Sequence, residues 1–242
     1  MKRAFDIFFS LFGLLLLLPV FLVFAFLVWK QDGYSPLYIA PRVGKDCRKF
    51  AMVKLRSMII GADKSGVDST SNNDKRITRI GILIRRFKVD ELTQLWNVLT
   101  GDMSLVGPRP NIEREVALYT AAERELLKFK PGITDFASIV FSDEGQIISG
   151  HPDPDIAYHQ LIRPGKSRLG LFYVENQSLV LDIALVLVTI MAVFSKPTAL
   201  RVLLPILKWL GADENLLLIA AREHALQPSP PPGSNKIVTS RV

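Results

Sequence analysis

Residues 7 to 29 form a run of 23 without a single charged side chain. As a helix such a run is ~35 Å long, enough to cross a bilayer core of ~30 Å. Whatever the chain folds into must give this run to lipid or bury it. Pro19 interrupts it near the middle, where it removes a backbone donor and clashes with the preceding turn at a cost of ~3 kcal/mol unless the helix bends. Lys2 and Arg3 precede the run; Lys30, Arg42, Lys45, Arg48 and Lys49 follow it. A cleaved signal peptide fits poorly, because the run is long and Gln31-Asp32-Gly33-Tyr34 is no small-residue cleavage site. A straight span is the default, and membrane helices tolerate proline. A re-entrant helix kinked at Pro19 instead keeps both basic flanks in the cytoplasm. On the residues alone both readings stay open.

The remainder is basic. Thirty Lys and Arg face 23 Asp and Glu in 242 residues, a net charge of +7, which implies an anionic partner. Cys47 is the single cysteine, so no intramolecular disulfide forms. Neither it nor His151, His159 and His224 has zinc-site spacing, and no Ser-His-Asp order stands out.

Residues 35–43 and 48–55 read as two strands joined by a turn at Gly44-Lys45-Asp46. Residues 61–74 are a polar loop. Lys75, Arg76, Arg79, Arg85, Arg86 and Lys88 alternate with Ile77, Ile80, Ile82, Leu83, Ile84 and Phe87, the pattern of a basic amphipathic helix. Residues 111–130 read as a helix, and residues 136–148 as extended chain. Residues 179–194 suit a buried or interfacial helix, being short for a span. Residues 199–210, with Arg201, Lys208 and Trp209 among leucines, suit a helix in the membrane plane. From residue 227 the proline-rich chain is expected to be disordered.

The chemistry concentrates in residues 88–110. Asp90 and Glu91 stand at the head of a helix-like run, with the basic cluster upstream and Pro108-Arg109-Pro110 downstream. Asp90 reads as an ordinary helix N-cap, with Glu91 a favourable first-turn acid. The same position also suits a phosphate site, where one carboxylate attacks phosphorus and its neighbour holds a divalent cation. Asp102 reads as a turn residue or a further orienting acid. Arg109, fixed between prolines, suits a bidentate phosphate contact or a salt bridge to one of the acids.

These blocks carry a likeness. Lys2-Arg3, Asp6, the proline-broken apolar run, Arg42-Val43-Gly44, Lys54-Leu55-Arg56-Ser57-Met58, Arg76-Ile77-Thr78-Arg79-Ile80-Gly81, Asp90-Glu91-Leu92 and Asn97-Val98-Leu99 fall in order. So do residues 101–110, Pro131-Gly132-Ile133-Thr134, Tyr173, Ser178, Asp182-Ile183 and Thr189. Over residues 1 to about 195 the chain resembles the bacterial sugar transferases, the monotopic phosphoglycosyl transferases that begin glycan assembly on a polyprenyl phosphate. Thr93 stands where many members have proline, and Asp135 where many have glycine, which bears on the sugar pocket.

The resemblance implies an α/β, mostly helical fold. Residues 1–30 would be a re-entrant membrane helix and 31–195 a cytosolic catalytic domain with a small β-hairpin. Residues 196–226 would be an interfacial helical segment and 227–242 a disordered tail. It implies Asp90 as nucleophile on the β-phosphate of a UDP-sugar, and Glu91 with Asp90 as the Mg²⁺ site. Arg56, Arg76, Arg79, Arg85 and Arg109 would contact phosphate or nucleotide. The partners implied are UDP-sugar, undecaprenyl phosphate and inner-membrane lipid, with the catalytic domain on the cytoplasmic face. The rival reading is a non-catalytic anchored module binding anionic lipid or nucleic acid through residues 75–88. Few aromatics accompany that basic stretch, which argues against nucleic acid.

Overall fold

A computed structural model describes residues 1–240 and gives a mostly helical α/β molecule. Helix α1, Lys2–Asp32, contains the whole apolar run with Pro19 inside it. It is the one helix among the described residues long and apolar enough to cross a membrane. Strands β1, Leu37–Val43, and β2, Lys49–Leu55, pair antiparallel as the expected hairpin, with Leu37 opposite Leu55 and Val43 opposite Lys49. Asp46 and Cys47 turn the chain with left-handed backbone.

The basic run is helical only over α2, Arg79–Arg86, because the Thr78 hydroxyl accepts the Gly81 amide and fixes its start. A 3-10 turn, Val89–Glu91, leads to α3, Gln94–Thr100. β3, Ser104–Val106, precedes α4, Glu113–Ala117, and α5, Ala121–Arg124. The single helix expected over 111–130 is thus several short ones. The capping box of Thr120 with Glu123 restarts the helix in the middle.

β4, Gly132–Thr134, pairs parallel with β3, a contact between segments 28 positions apart. A Cβ on Gly132 would lie 2.0 Å from the Gly107 nitrogen, so the two backbones meet where only glycine fits. Residues 136–148 are not extended. They form α6, Phe136–Val140, and α7, Glu144–Ile147, because Asp135 caps α6 through the Ser138 amide at 2.7 Å. α8, Pro154–Ala157, runs through a π-helical turn into α9, Arg163–Asn176. α10, Leu179–Phe194, α11, Lys196–Trp209, and α12, Glu214–Ala221, complete the chain.

α10 buries Leu181, Leu185 and Val188 and exposes Ile183, Leu187, Ile190 and Phe194. α11 buries Ala199, Leu203 and Leu207 against the core and leaves Trp209 outward. Each of these helices thus packs one apolar face on the core and turns other apolar residues outward. Residues 227–240 carry no helix or strand but are not loose. Pro232 accepts the Thr120 hydroxyl, Pro230 accepts Arg168, and Val238 accepts Gln160. The expected disordered tail is therefore, through residue 240, a strap across α5 and α9; its last two residues lie outside the described ones.

Helix α1 is attached along its length. At its start Lys2 pairs with Asp182 and donates to the Val106 carbonyl, and Arg3 donates to the carbonyls of Val98 and Leu99. Buried Asp6 accepts the Ser104 hydroxyl and the Leu105 amide, both at 3.0 Å. Near its end Val28, with Phe21, Phe24 and Ala25, packs on Leu55, Ile84 and Val89. Asp32 then receives Arg56 through two nitrogens at 2.5 and 2.6 Å. Both ends of the apolar helix rest on one globular body.

Candidate active site

The acid pair sits in the 3-10 turn rather than at a helix N-cap. Lys88 enters it with left-handed backbone, φ 53°. Val89 is buried against α1, which leaves the side chains of Asp90 and Glu91 turned elsewhere. Neither acid caps α3. The hydroxyl of Thr93 instead donates to the carbonyls of Val53 at 2.8 Å and Asp90 at 3.1 Å, tying the turn to β2. Asn97 strengthens the same seam, accepting from the Val53 amide and donating to Ala51. This seam brings Lys54 to Asp90, Nζ to Oδ2 3.9 Å.

The two acids differ. Glu91 accepts Arg109 Nη2 at 2.6 Å, and Arg109 Nη1 donates to the Ile133 carbonyl at 3.3 Å. The β3–β4 pair supplies this placement, since Arg109 follows one strand and Ile133 lies in the other. Burial pushes the Glu91 carboxyl up, but Arg109, Lys88 and Lys54 outweigh it and hold the group at about 2. Asp90 accepts no hydrogen bond on its carboxylate among the described residues. Burial raises its pKa above the ordinary carboxylate value; Lys54 opposes, and the Glu91 charge adds to the rise. Burial also brings Lys54 down to about 8, with Asp90 resisting.

Further cations face the pair. Arg85, fixed by a 3.1 Å bond from Nε to the Ser57 hydroxyl, adds its field to Asp90, as Lys88 does to Glu91. Glu144 lies on the other side and pairs with Lys166. Burial would raise Glu144, but Lys166, Arg109 and Lys54 keep it low. The arrangement is a mostly buried, cation-rich cluster around two carboxylates, suited to a phosphate-bearing substrate.

The structure brings Asp90, Glu91, Arg85 and Arg109 together. It does not bring Arg56 there: Nε, Nη1 and Nη2 are all committed to Asp32 and the Ser35 carbonyl region. Arg76 bonds Asp74 and the carbonyls of Ala62, Val67 and Ser69, so it organises the 61–74 loop. Arg79 is exposed at the first turn of α2. Asp102 is exposed and accepts the Thr100 hydroxyl, which makes it a turn residue. Asp135 is buried in its helix cap. Sequence reasoning missed Lys54, Glu144 and Lys166 as site residues. Lys54 lies in a block it singled out, but its approach to Asp90 depends on the Thr93–Val53 bond.

No group of three or more His, Cys, Asp or Glu side chains able to hold a metal exists among the described residues. Mg²⁺ commonly binds through one or two carboxylates, completing its shell with water and substrate phosphate. The pair fits that pattern, because Arg109 occupies one Glu91 oxygen and leaves Asp90 and the second Glu91 oxygen.

A family model described as bacterial sugar transferase matches residues 1–196. A UDP-galactose-lipid carrier transferase of Erwinia amylovora is 36% identical over 214 residues, covering 82% of this chain and 41% of that protein. A putative undecaprenyl-phosphate N-acetylgalactosaminyl 1-phosphate transferase of Bacillus subtilis (strain 168) is 50% identical over 109 residues, 45% of this chain and 61% of its own. The exopolysaccharide production protein PSS of Rhizobium leguminosarum bv. phaseoli is 40% identical over 204 residues, 79% of this chain and 94% of its own. The chain thus spans less than two thirds of the first two relatives and nearly all of the third.

Proposed function

The chain belongs to the bacterial sugar transferase family, and we propose that it transfers a sugar 1-phosphate from a UDP-sugar to undecaprenyl phosphate in two steps. The carrying observation is the asymmetry of the acid pair: Glu91 is tied to Arg109, while Asp90 faces Lys54 with no hydrogen bond on its carboxylate among the described residues. A free carboxylate with a raised pKa is the better nucleophile once ionised.

In the first step an Asp90 oxygen attacks the β-phosphorus. The bond from that phosphorus to the bridging oxygen breaks, and UMP leaves with the electron pair. The sugar phosphate remains on Asp90. In the second step a phosphate oxygen of undecaprenyl phosphate attacks the same phosphorus. The bond to Asp90 breaks, the carboxylate is restored and the lipid diphosphate sugar departs. Arg85, Arg109 and Lys54 hold the phosphate oxygens and spread their charge. A Mg²⁺ held by Glu91 and Asp90 together with the diphosphate would neutralise charge at the breaking bond.

Helix α1 belongs to the same proposal as a re-entrant membrane element. Its support is that Lys2, Asp6, Val28 and Asp32 all contact one body, which a straight span carrying its ends to opposite faces would prevent. That body then lies on the cytoplasmic side, where the basic flanks favour it.

The test is a panel of UDP-sugars with purified protein, Mg²⁺ and undecaprenyl phosphate, read by UMP release. One sugar should give turnover, and without the lipid a single burst of about one UMP per protein. Absence of release across the panel, with salt-sensitive binding to anionic vesicles, would leave the anchored-module reading instead.

A further inference from the structure

A second cationic cluster lies at the start of α7. Asp143, just before α7, faces two cations at once: Lys196 Nζ in ion-pair contact at Oδ1, and Arg222 Nη2 at 3.4 Å from Oδ2. Arg222 also stacks over the Phe141 ring, 5.5 Å from its centroid. The Lys196 and Arg222 side chains are only 20% and 15% exposed. Yet Arg222 Nε and Nη1 are buried without any hydrogen-bond partner. Lys196 Nζ has Asp143 as its partner, so the unpartnered donors of the cluster are those of Arg222. Two mostly buried cations sharing one acid, with two Arg222 donors unpartnered, leave an excess positive charge, which is costly unless an anion joins it.

Two cations of this region sit on left-handed backbone. Four non-glycine residues among those described have left-handed backbone. Asp46 and Cys47 make the hairpin turn; the others are Lys88, φ 53°, and Arg222, φ 54°. Arg222 takes the position after α12 that ordinarily favours glycine. Such conformations persist where the side chain is needed.

The cluster is linked to the active site through the chain and through charge. Asp143 is the chain neighbour of Glu144, whose carboxylate faces Lys166 and feels Arg109 and Lys54. Lys88 forms no ion pair among the described residues, and its charge acts both on Glu91 and on Lys196. An apolar surface precedes it along the chain. The exposed stripe of Ile183, Leu187, Ile190 and Phe194 on α10 ends two residues before Lys196, and Phe194 is 86% exposed. Phe87, beside Lys88, is exposed as well.

We propose that Lys88, Lys196 and Arg222 form the receiving site for the phosphate monoester of the lipid acceptor. The apolar stripe marks the lipid side, the orphaned donors face the phosphate, and the neighbouring acid pair supplies the phosphorus to be attacked. Arg222 lies beyond the residues the family model matches, so this chain's C-terminal helices contribute the site's third cation. The inference rests on the transferase reading and assigns its second substrate.

The experiment separates the half-reactions on the full chain. Arg222→Gln and Lys196→Gln are measured for the lipid-free UMP burst, for the KM of the UDP-sugar and for the KM of undecaprenyl phosphate in detergent micelles. The acceptor KM is expected to rise about tenfold or more, the loss of one charge-assisted phosphate contact. The burst and the UDP-sugar KM stay at wild-type values, and Arg222→Lys recovers part of the acceptor affinity. An unchanged acceptor KM, or a rise confined to the UDP-sugar KM, overturns the assignment and leaves the transferase reading standing. A wild-type protein without any UMP burst removes that reading itself. Should Arg222→Gln fail to fold, Lys196→Gln on α11 carries the test.

Discussion

Arg109 Nη2 donates to Glu91 Oε1 at 2.6 Å, while the carboxylate one residue earlier, on Asp90, accepts no hydrogen bond among the described residues. Adjacent acids thereby differ in their surroundings, and the proposed mechanism gives them separate tasks: Glu91 stays an anion and Asp90 reacts. Asp90→Asn should therefore abolish the UMP burst, by at least about a thousandfold, without lowering the melting temperature, since it removes a buried charge. A folded Asp90→Asn protein with wild-type turnover would refute the nucleophile.

Breaking the lock should cost both stability and rate. Arg109→Ala leaves Glu91 largely buried without its partner, at a cost of ~2 kcal/mol. Glu91 is held low at about 2, so its contribution is full above the ordinary carboxylate pKa and is lost as pH falls from there towards 2. Glu91→Gln should remove that part of the acid sensitivity, read as melting temperature against pH in detergent.

The pH profile of kcat/KM for the UDP-sugar reports the free protein. Its acid limb should lie above the ordinary aspartate value of ~3.9, because burial raises Asp90 and turnover is lost as pH falls through that raised pKa. Its alkaline limb should fall near pH 8, where Lys54 loses its proton. Lys54→Arg should move the alkaline limb beyond the measurable range. Lys54→Gln should shift the acid limb upward, since Asp90 loses its nearest cation. A profile indifferent to both substitutions would exclude Lys54 from the site.

The attachment of α1 is tested by labelling. With Cys47→Ser as background, single cysteines at Ala4 and at Lys30 mark the two ends of the helix. Neither should react with a membrane-impermeant maleimide added to intact cells, and both should react in inverted vesicles. Labelling of one end alone from outside would establish a straight span.

Gly132→Ala tests the scaffold of Arg109. The added Cβ meets the Gly107 backbone at 2.0 Å, so β3 and β4 must part. Loss of UMP release should accompany a lower melting temperature, whereas Gly150→Ala, with open space around it but positive φ, should lower the melting temperature by less and spare activity.

The sequence was most legible where its signals are local. The hairpin follows from two short strand-like runs with a turn at Gly44-Lys45-Asp46, and α10 from the apolar run of residues 179–194, broken only by Asp182. Residues 136–148 misled because a short apolar run suits a strand or a buried helix equally; the Asp135 cap decides for helix. The acid pair was found from its neighbours, but its turn was not, since Lys88 has no glycine to announce a left-handed residue. Arg56 shares a block with Lys54 and was expected at the phosphates; only its three-dimensional pairing with Asp32 shows it to be an anchor of α1. Thr93 stands where the family resemblance leads one to expect proline. Its hydroxyl bonds to Val53 and Asp90 are ones proline cannot make.

Val89 shares a buried apolar cluster with Val28, and Asp90 is the next residue. On the proposed mechanism, the depth of α1 in the lipid would set how far the Asp90 carboxylate stands from the headgroups. A change of bilayer thickness that tilts α1 would then reach the proposed nucleophile across a single peptide bond.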